Sequence, residues 1–106
     1  MKLDTYQELA LRTWKKQDPK LAVLNAALGL GESGEVQDLV KKWFFHGHEL
    51  NEKEIVLELG DQLYYIAVLS AELGLDLSEV AERNVLKLQS RYPDGFDQER
   101  SINRED

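Results

Sequence analysis

Apolar residues recur along this chain at the three-and-four spacing of helices almost throughout, and the alternation that marks a strand is hard to find. A first helix is predicted to begin near Asp4 or Thr5, with Tyr6, Leu9, Ala10, Thr13 and Trp14 on one face, and to end before the "QDPK" segment. Pro19 suits the first turn of a second helix, running to about Phe45 and stopping at "HGHELN" with Gly47 as its C-cap. A third helix spans about Glu52 to Leu73 and stops at Gly74. The "DLSE" segment then offers Asp76 or Ser78 as a cap, with Glu79 in a capping-box position, for a fourth helix to about Ser90. The remainder, about 92–106, holds a Pro and a Gly and becomes polar, so it is expected to be an irregular tail. Four helices on short connections predict an all-α fold, a four-helix bundle-like protomer.

Size sharpens that picture. At 106 residues the chain is expected to be a single domain over 1–106. Such a domain hides only about two thirds of its unfolded surface, and a partner subunit would help it. Thirteen Lys and Arg against twenty Asp and Glu leave a net charge of −7, a poor basis for nucleic-acid binding. The absence of cysteine removes disulfides, thiolate metal sites and thiol nucleophiles together, and makes a reducing, cytoplasmic setting the expectation. "MKLDTYQELA" lacks the apolar core of a signal peptide, and the apolar runs are too short for a membrane span.

The acids are less ordinary. Residues three apart on a helix lie about 60° apart and face the same way. Glu32 and Glu35 in "GESGEV" form such a pair, and Glu58 and Asp61 in "ELGD" form another. Projected on a continuous second helix, Glu32 and Glu35 share a side with Leu21, Leu28, Leu39 and Trp43. Glu58 and Asp61 share theirs with Tyr65, Val68 and Leu69, while Ile55, Leu59, Leu63 and Ile66 fill another side of a helix apolar nearly all round. Either pair alone is what any acid-rich chain produces on a solvated face. Two pairs that both interrupt apolar faces point to a metal site, because carboxylates gathered together repel unless a cation sits among them. Oxygen-only ligands suit a hard cation, Mg²⁺ or Mn²⁺. A di-iron centre would need ExxH motifs, and neither His46 nor His48 stands three residues after a glutamate.

Gly29, Gly31 and Gly34 each cost about 1 kcal/mol of helix propensity against Ala. They are expected to let a helix or a ligand approach the backbone beside the acids, with helix packing the role expected of Gly29. On the fourth helix, Asn84, Lys87 and Arg91 continue the line of Leu77, Val80 and Ala81. A stripe of that kind facing the acids would make half of a polyphosphate cradle, though Lys87 and Arg91 are equally at home in solvent.

The "ESGE" and "ELGD" tetrapeptides, in that order and at that separation, followed by "QLYYIAVLSAELGLDLSEVAERNVLKLQSRYPDGF", resemble the ExxE and ExxD pattern of the MazG-like all-α nucleoside triphosphate pyrophosphohydrolases. The resemblance covers about four fifths of the chain. It implies Mg²⁺-dependent cleavage of a nucleoside triphosphate, often a deoxy one, to monophosphate and pyrophosphate. It also implies a homodimer or dimer of dimers whose subunits build the sites together. Carried onto this chain, Glu32, Glu35, Glu58 and Asp61 become metal ligands. Asn84, Lys87 and Arg91 become phosphate contacts, and Glu35 the residue that positions or deprotonates the attacking water. Glu54, one turn before Glu58, lies outside the pattern but on the same face. Larger members carry two such modules; this chain has one. The alternative within the same fold is a non-catalytic helical oligomer that binds metal and nucleotide.

Other residues have plainer readings. "FFHGH" has too few ligand-type neighbours for a zinc site and is expected to be a loop at a helix end. Trp14 and Tyr6 offer faces on which a base could stack, yet aromatic residues at helical spacing are more often core. Lys41 and Lys42 complement the dipole at the end of the second helix.

Overall fold

A computed structural model describes residues 1–103 and is all-α. Its elements are α1 (Leu3–Leu11), α2 (Pro19–Leu30), a 3₁₀ turn (Gly31–Ser33), α3 (Gly34–Phe45), α4 (Glu52–Glu72), α5 (Leu77–Arg91) and α6 (Gln98–Ile102), with no strand among the described residues. The four predicted segments are present, with two changes. The second is broken at "GES" into α2 and α3, because two glycines within four residues weaken the helix where a tighter turn can form. The tail is not wholly irregular: Asp97 accepts hydrogen bonds from the Glu99 and Arg100 amides and starts α6, while residues 104–106 of the expected tail lie outside the described residues.

Local chemistry accounts for most boundaries. Asp18 caps α2 through the Leu21 amide, with Pro19 at the first helical position. Asn51 caps α4 through the Glu54 amide. Gly47, at φ 71, takes the left-handed conformation that lets the His48 amide turn back onto the Lys42 carbonyl and end α3. The start of α5 departs from expectation. Asp76 holds the N-cap position without a side-chain cap bond, and α1 supplies the acceptors instead. Gln7 Oε1 accepts from the Leu77 amide at 3.0 Å, and Asp4 accepts from the Ser78 amide at 2.8 Å and its hydroxyl at 2.7 Å. Those bonds hold the Asp4 carboxyl below its ordinary range.

Packing is organised around α4. On one side Ala10, Ala67 and Leu77 form a small core covered by Tyr6 and Tyr64. The buried Gln7 ties this side together, its amide donating to the Ala67 and Leu75 carbonyls at 3.1 and 3.0 Å. On the other side α2 lies against α4 through Ala22, Ala26 and Gly29. The small residues permit close approach, and Gly29 sits directly beneath the Tyr65 ring, as its expected packing role requires.

What the chain leaves uncovered is as informative. Leu21, Leu28 and Trp43, expected to share an inward stripe with Glu32 and Glu35, are exposed. So are Leu59, Leu63 and Ile66, although α4 had promised burial around most of its circumference. The surface is 8,460 Å², where a compact monomer of this mass would expose about 6,100 Å². The radius of gyration, 16.9 Å, likewise exceeds the roughly 13 Å of a compact domain of this length.

Candidate functional site

The two acid pairs arrive from different elements. Glu32 lies in the 3₁₀ turn, Glu35 in the first turn of α3, and Glu58 and Asp61 in the first half of α4. Glu32 and Glu35 thus stand on either side of the junction between the 3₁₀ turn and α3. The structure brings Glu35 and Glu58 together across the contact between α3 and α4. The proximity of the Glu35 carboxyl, close enough for the two to share a hydrogen bond, is the main reason Glu58 is pushed up to about 7. Loss of hydration and the charges of Glu35, Asp61 and Glu54 push the same way. Asp61 also acts towards α1: after burial, its charge is the next cause that raises the Tyr6 phenol above its ordinary value.

Glu32, Glu35 and Asp61 are exposed and Glu58 is half-buried, so the acids do not face a sealed interior within one chain. Among the described residues no three Asp, Glu or His side chains converge into a ready cation cage. Of the four acids, Glu35 and Asp61 both act on Glu58, Glu35 the more strongly. Glu54 has a second task at the cap of α4, where its carboxylate accepts from the Asn51 amide group at 3.3 Å.

Whether the acids are simply held in salt bridges can be answered. Among the described residues the ion pairs join Lys42 to Asp38 at 2.9 Å and Arg83 to Glu79 at 2.7 Å. Both are exposed pairs within single helices, and none of Glu32, Glu35, Glu58 and Asp61 takes part. Among the described residues, then, these four acids are not held in ion pairs with Lys or Arg. In its chemistry the donor set suits a divalent cation: it is oxygen only, and among the described residues it takes part in no ion pair.

Asn84, Lys87 and Arg91 do fall on one line of α5, within about 60° of each other at 100° per residue. Leu77, Val80 and Ala81 anchor the first turns of that helix; residues 82–90 are exposed, and the second half stands clear of the body. Among the described residues Asn84 and Lys87 make no polar contact with the acids. The Arg91 carbonyl accepts from Arg100 Nε at 2.7 Å, which ties α6 back to the end of α5. Trp14 lies elsewhere. Its indole donates to Glu72 at 2.9 Å and its ring meets Tyr64 edge-on. Glu72 is eleven residues beyond Asp61 in α4, about 16 Å of helix rise.

His46 and His48 are exposed beyond α3, in the loop expected of them, and Lys42 stands in the last turn of α3. A feature that helical spacing did not signal is an apolar groove of about 400 Å³ lined by Val85, Leu88, Gln89, Tyr92, Gly95 and Phe96. It exists because the chain after α5 folds back through "YPDGF", bringing the Tyr92 and Phe96 rings to 5.3 Å. The groove opens on a different flank of α5 from the Asn84, Lys87 and Arg91 line.

The chain is thus all-α, with acids of α3 and α4 brought together between the two helices. The family can be named. The MazG nucleotide pyrophosphohydrolase domain matches residues 23–96, and the chain belongs to that family. It is also 38% identical over 79 residues to the Gene 37 protein of Mycobacterium phage L5, covering 71% of this chain and 69% of that one. That name states no activity. No solved structure matches the chain significantly.

Proposed function

We propose that this protein is a nucleoside triphosphate pyrophosphohydrolase dependent on Mg²⁺, with Mn²⁺ as a substitute, converting a nucleoside triphosphate, preferentially a deoxy one, to its monophosphate and pyrophosphate. The observation that carries the reading is the meeting of Glu35 and Glu58 from two helices, with no ion pair to either among the described residues, in a chain of the MazG family.

In this reading Glu32, Glu35, Glu58 and Asp61 hold the cation. When bound, it neutralises phosphate charge and acidifies a water. Substrate and acids are both anionic, so the triphosphate has no favourable approach to this surface without it. Glu35 orients the attacking water and takes its proton. The water oxygen bonds to the α-phosphorus as the bond to the bridging oxygen breaks, and pyrophosphate leaves. Asn84, Lys87 and Arg91 meet the phosphate oxygens as the exposed half of α5 closes the cradle. Trp14 reaches a base only if the nucleoside extends towards the Glu72 end of α4. The protein works as a homo-oligomer, a dimer or dimer of dimers, since one chain leaves its acids open to solvent.

The test is product analysis by ion-exchange chromatography across a panel of NTPs and dNTPs with Mg²⁺, beside Glu35→Gln and Asp61→Asn variants. Monophosphate plus pyrophosphate, lost in both variants, is the expected result. Cation and nucleotide binding without turnover of any nucleotide would overturn the enzyme and leave a binding module.

A further inference from the structure

The chain beyond α5 turns back on itself. Pro93 has no N–H with which to continue the helix, and Gly95, at φ 94, reverses the backbone so that its amide donates to the Tyr92 carbonyl at 3.1 Å. The Tyr92 and Phe96 rings meet across this turn, Asp97 starts α6, and α6 is carried back beside the end of α5. The consequence falls on Arg100. Its Nε donates to the Arg91 carbonyl at 2.7 Å, nine residues earlier in the chain.

That bond sets Arg100 apart from an ordinary surface arginine. Asp94, Asp97 and Glu99 stand close to it in sequence, yet among the described residues Arg100 joins no ion pair. Asp97 turns to the backbone instead, accepting from the Glu99 and Arg100 amides. The guanidinium is therefore anchored at Nε by an uncharged oxygen and keeps its full charge. Among the described residues neither Nη group makes a hydrogen bond, so both remain for another ligand. Their planar N–H groups match the oxygens of a phosphate. Because Nε already fixes the side chain, less freedom is lost when an anion binds.

Position says which phosphate. Arg91 is the last member of the line of Asn84, Lys87 and Arg91 on α5, and Arg100 is fastened to the carbonyl at which that line ends. Asn84 is the member nearest the turns that Leu77, Val80 and Ala81 anchor to the body, and Arg91 is the farthest from them. A polyphosphate lying on this line with its first phosphate towards the acids of the body has its last one towards Arg91 and Arg100. A diphosphate stops one phosphate short of that end.

We propose that Arg100 contacts the terminal phosphate of the nucleotide and that through this contact the protein selects triphosphates over diphosphates. The inference rests on the proposed function for the direction in which the phosphates lie, and it is tested by binding, which needs no turnover. The test is calorimetric titration, with Mg²⁺ present, of the wild type, Arg100→Gln, Arg100→Lys and Lys16→Gln. The ligands are α,β-imido analogues of the four common deoxynucleoside triphosphates and of the matching diphosphates, and circular dichroism checks that helicity is kept. Arg100→Gln should weaken the best-bound triphosphate about tenfold, as the loss of one charge-assisted hydrogen bond on an open surface does, and leave its diphosphate within about twofold. Arg100→Lys keeps the charge without the Nε anchor or the fork and should recover only part of the loss. Lys16→Gln removes the same charge from an exposed position in the connection before α2 and should change neither affinity. If it matches Arg100→Gln, the effect is one of net charge and the proposal falls. Equal weakening of triphosphate and diphosphate by Arg100→Gln would make Arg100 a cap on α5 and nothing more, and unchanged affinities would remove it from the site; either overturns the proposal. Binding that discriminates as expected, with no turnover of the natural nucleotides, would overturn the enzyme and leave the role of Arg100 standing. No binding of any analogue by the wild type would overturn both.

Discussion

Replacing Gly29 with alanine isolates the contact that sets the spacing of α2 and α4. A Cβ built on Gly29 would overlap three carbons of the Tyr65 ring, well within van der Waals separation, so the ring must leave its place. It cannot slide freely, since Tyr65 is half-buried and meets Tyr64 edge-on at 5.3 Å. Overpacking of this kind costs about 1–3 kcal/mol. The alanine also gains about 1 kcal/mol of helix propensity, which would hide part of the cost. Gly60→Ala, inside α4 with nothing within 4 Å of its Cβ, makes the same gain with no clash. The difference between the two variants is then the overpacking alone. At about 4–8 °C per kcal/mol for a small domain, Gly29→Ala should melt roughly 5–15 °C below Gly60→Ala, by circular dichroism at one fixed protein concentration. Adding Tyr65→Ala should abolish the difference, because it removes the obstructing ring. If the two glycine variants melt together, or if Tyr65→Ala leaves their gap intact, the role assigned to Gly29 is wrong.

Other consequences can be read in the same kind of assay. Gln7→Leu removes three hydrogen bonds, two of them buried, that tie α1 to α4, to the connection after it and to α5, and urea unfolding should show a loss of about 2–4 kcal/mol; an unchanged midpoint would remove Gln7 from the fold's account. In metal-free buffer the folded chain keeps a proton on Glu58 that the unfolded chain releases between its ordinary 4.5 and about 7. Stability should therefore fall as pH rises through that window, and Glu58→Gln should flatten the fall, where an identical slope in the variant would count against the carboxyl pair. Gly34→Ala meets nothing within the chain, so the melting temperature should hold while turnover drops at least about tenfold if a ligand or second copy needs that backbone bare; full activity would leave Gly34 unexplained.

Helical spacing carried the position of nearly every element, because periodicity and turn residues are local. The start of α5 was not legible in the same way. Its donors are met by Gln7 and Asp4, some seventy residues earlier, and nothing in the "DLSE" spacing says that a distant side chain takes the place of Asp76. The break at "GES" has a related cause: the pattern of acids matched one continuous helix, and the propensity of two glycines outweighed it. Spacing alone grouped the four acids two by two along the chain; which of them meet between elements is a matter of packing, and Glu35 acts most strongly on Glu58. Burial was misjudged for a different reason. An apolar pattern tells which faces leave water but not whose surface covers them, and the stripes on α2 and α4 are covered by nothing in their own chain.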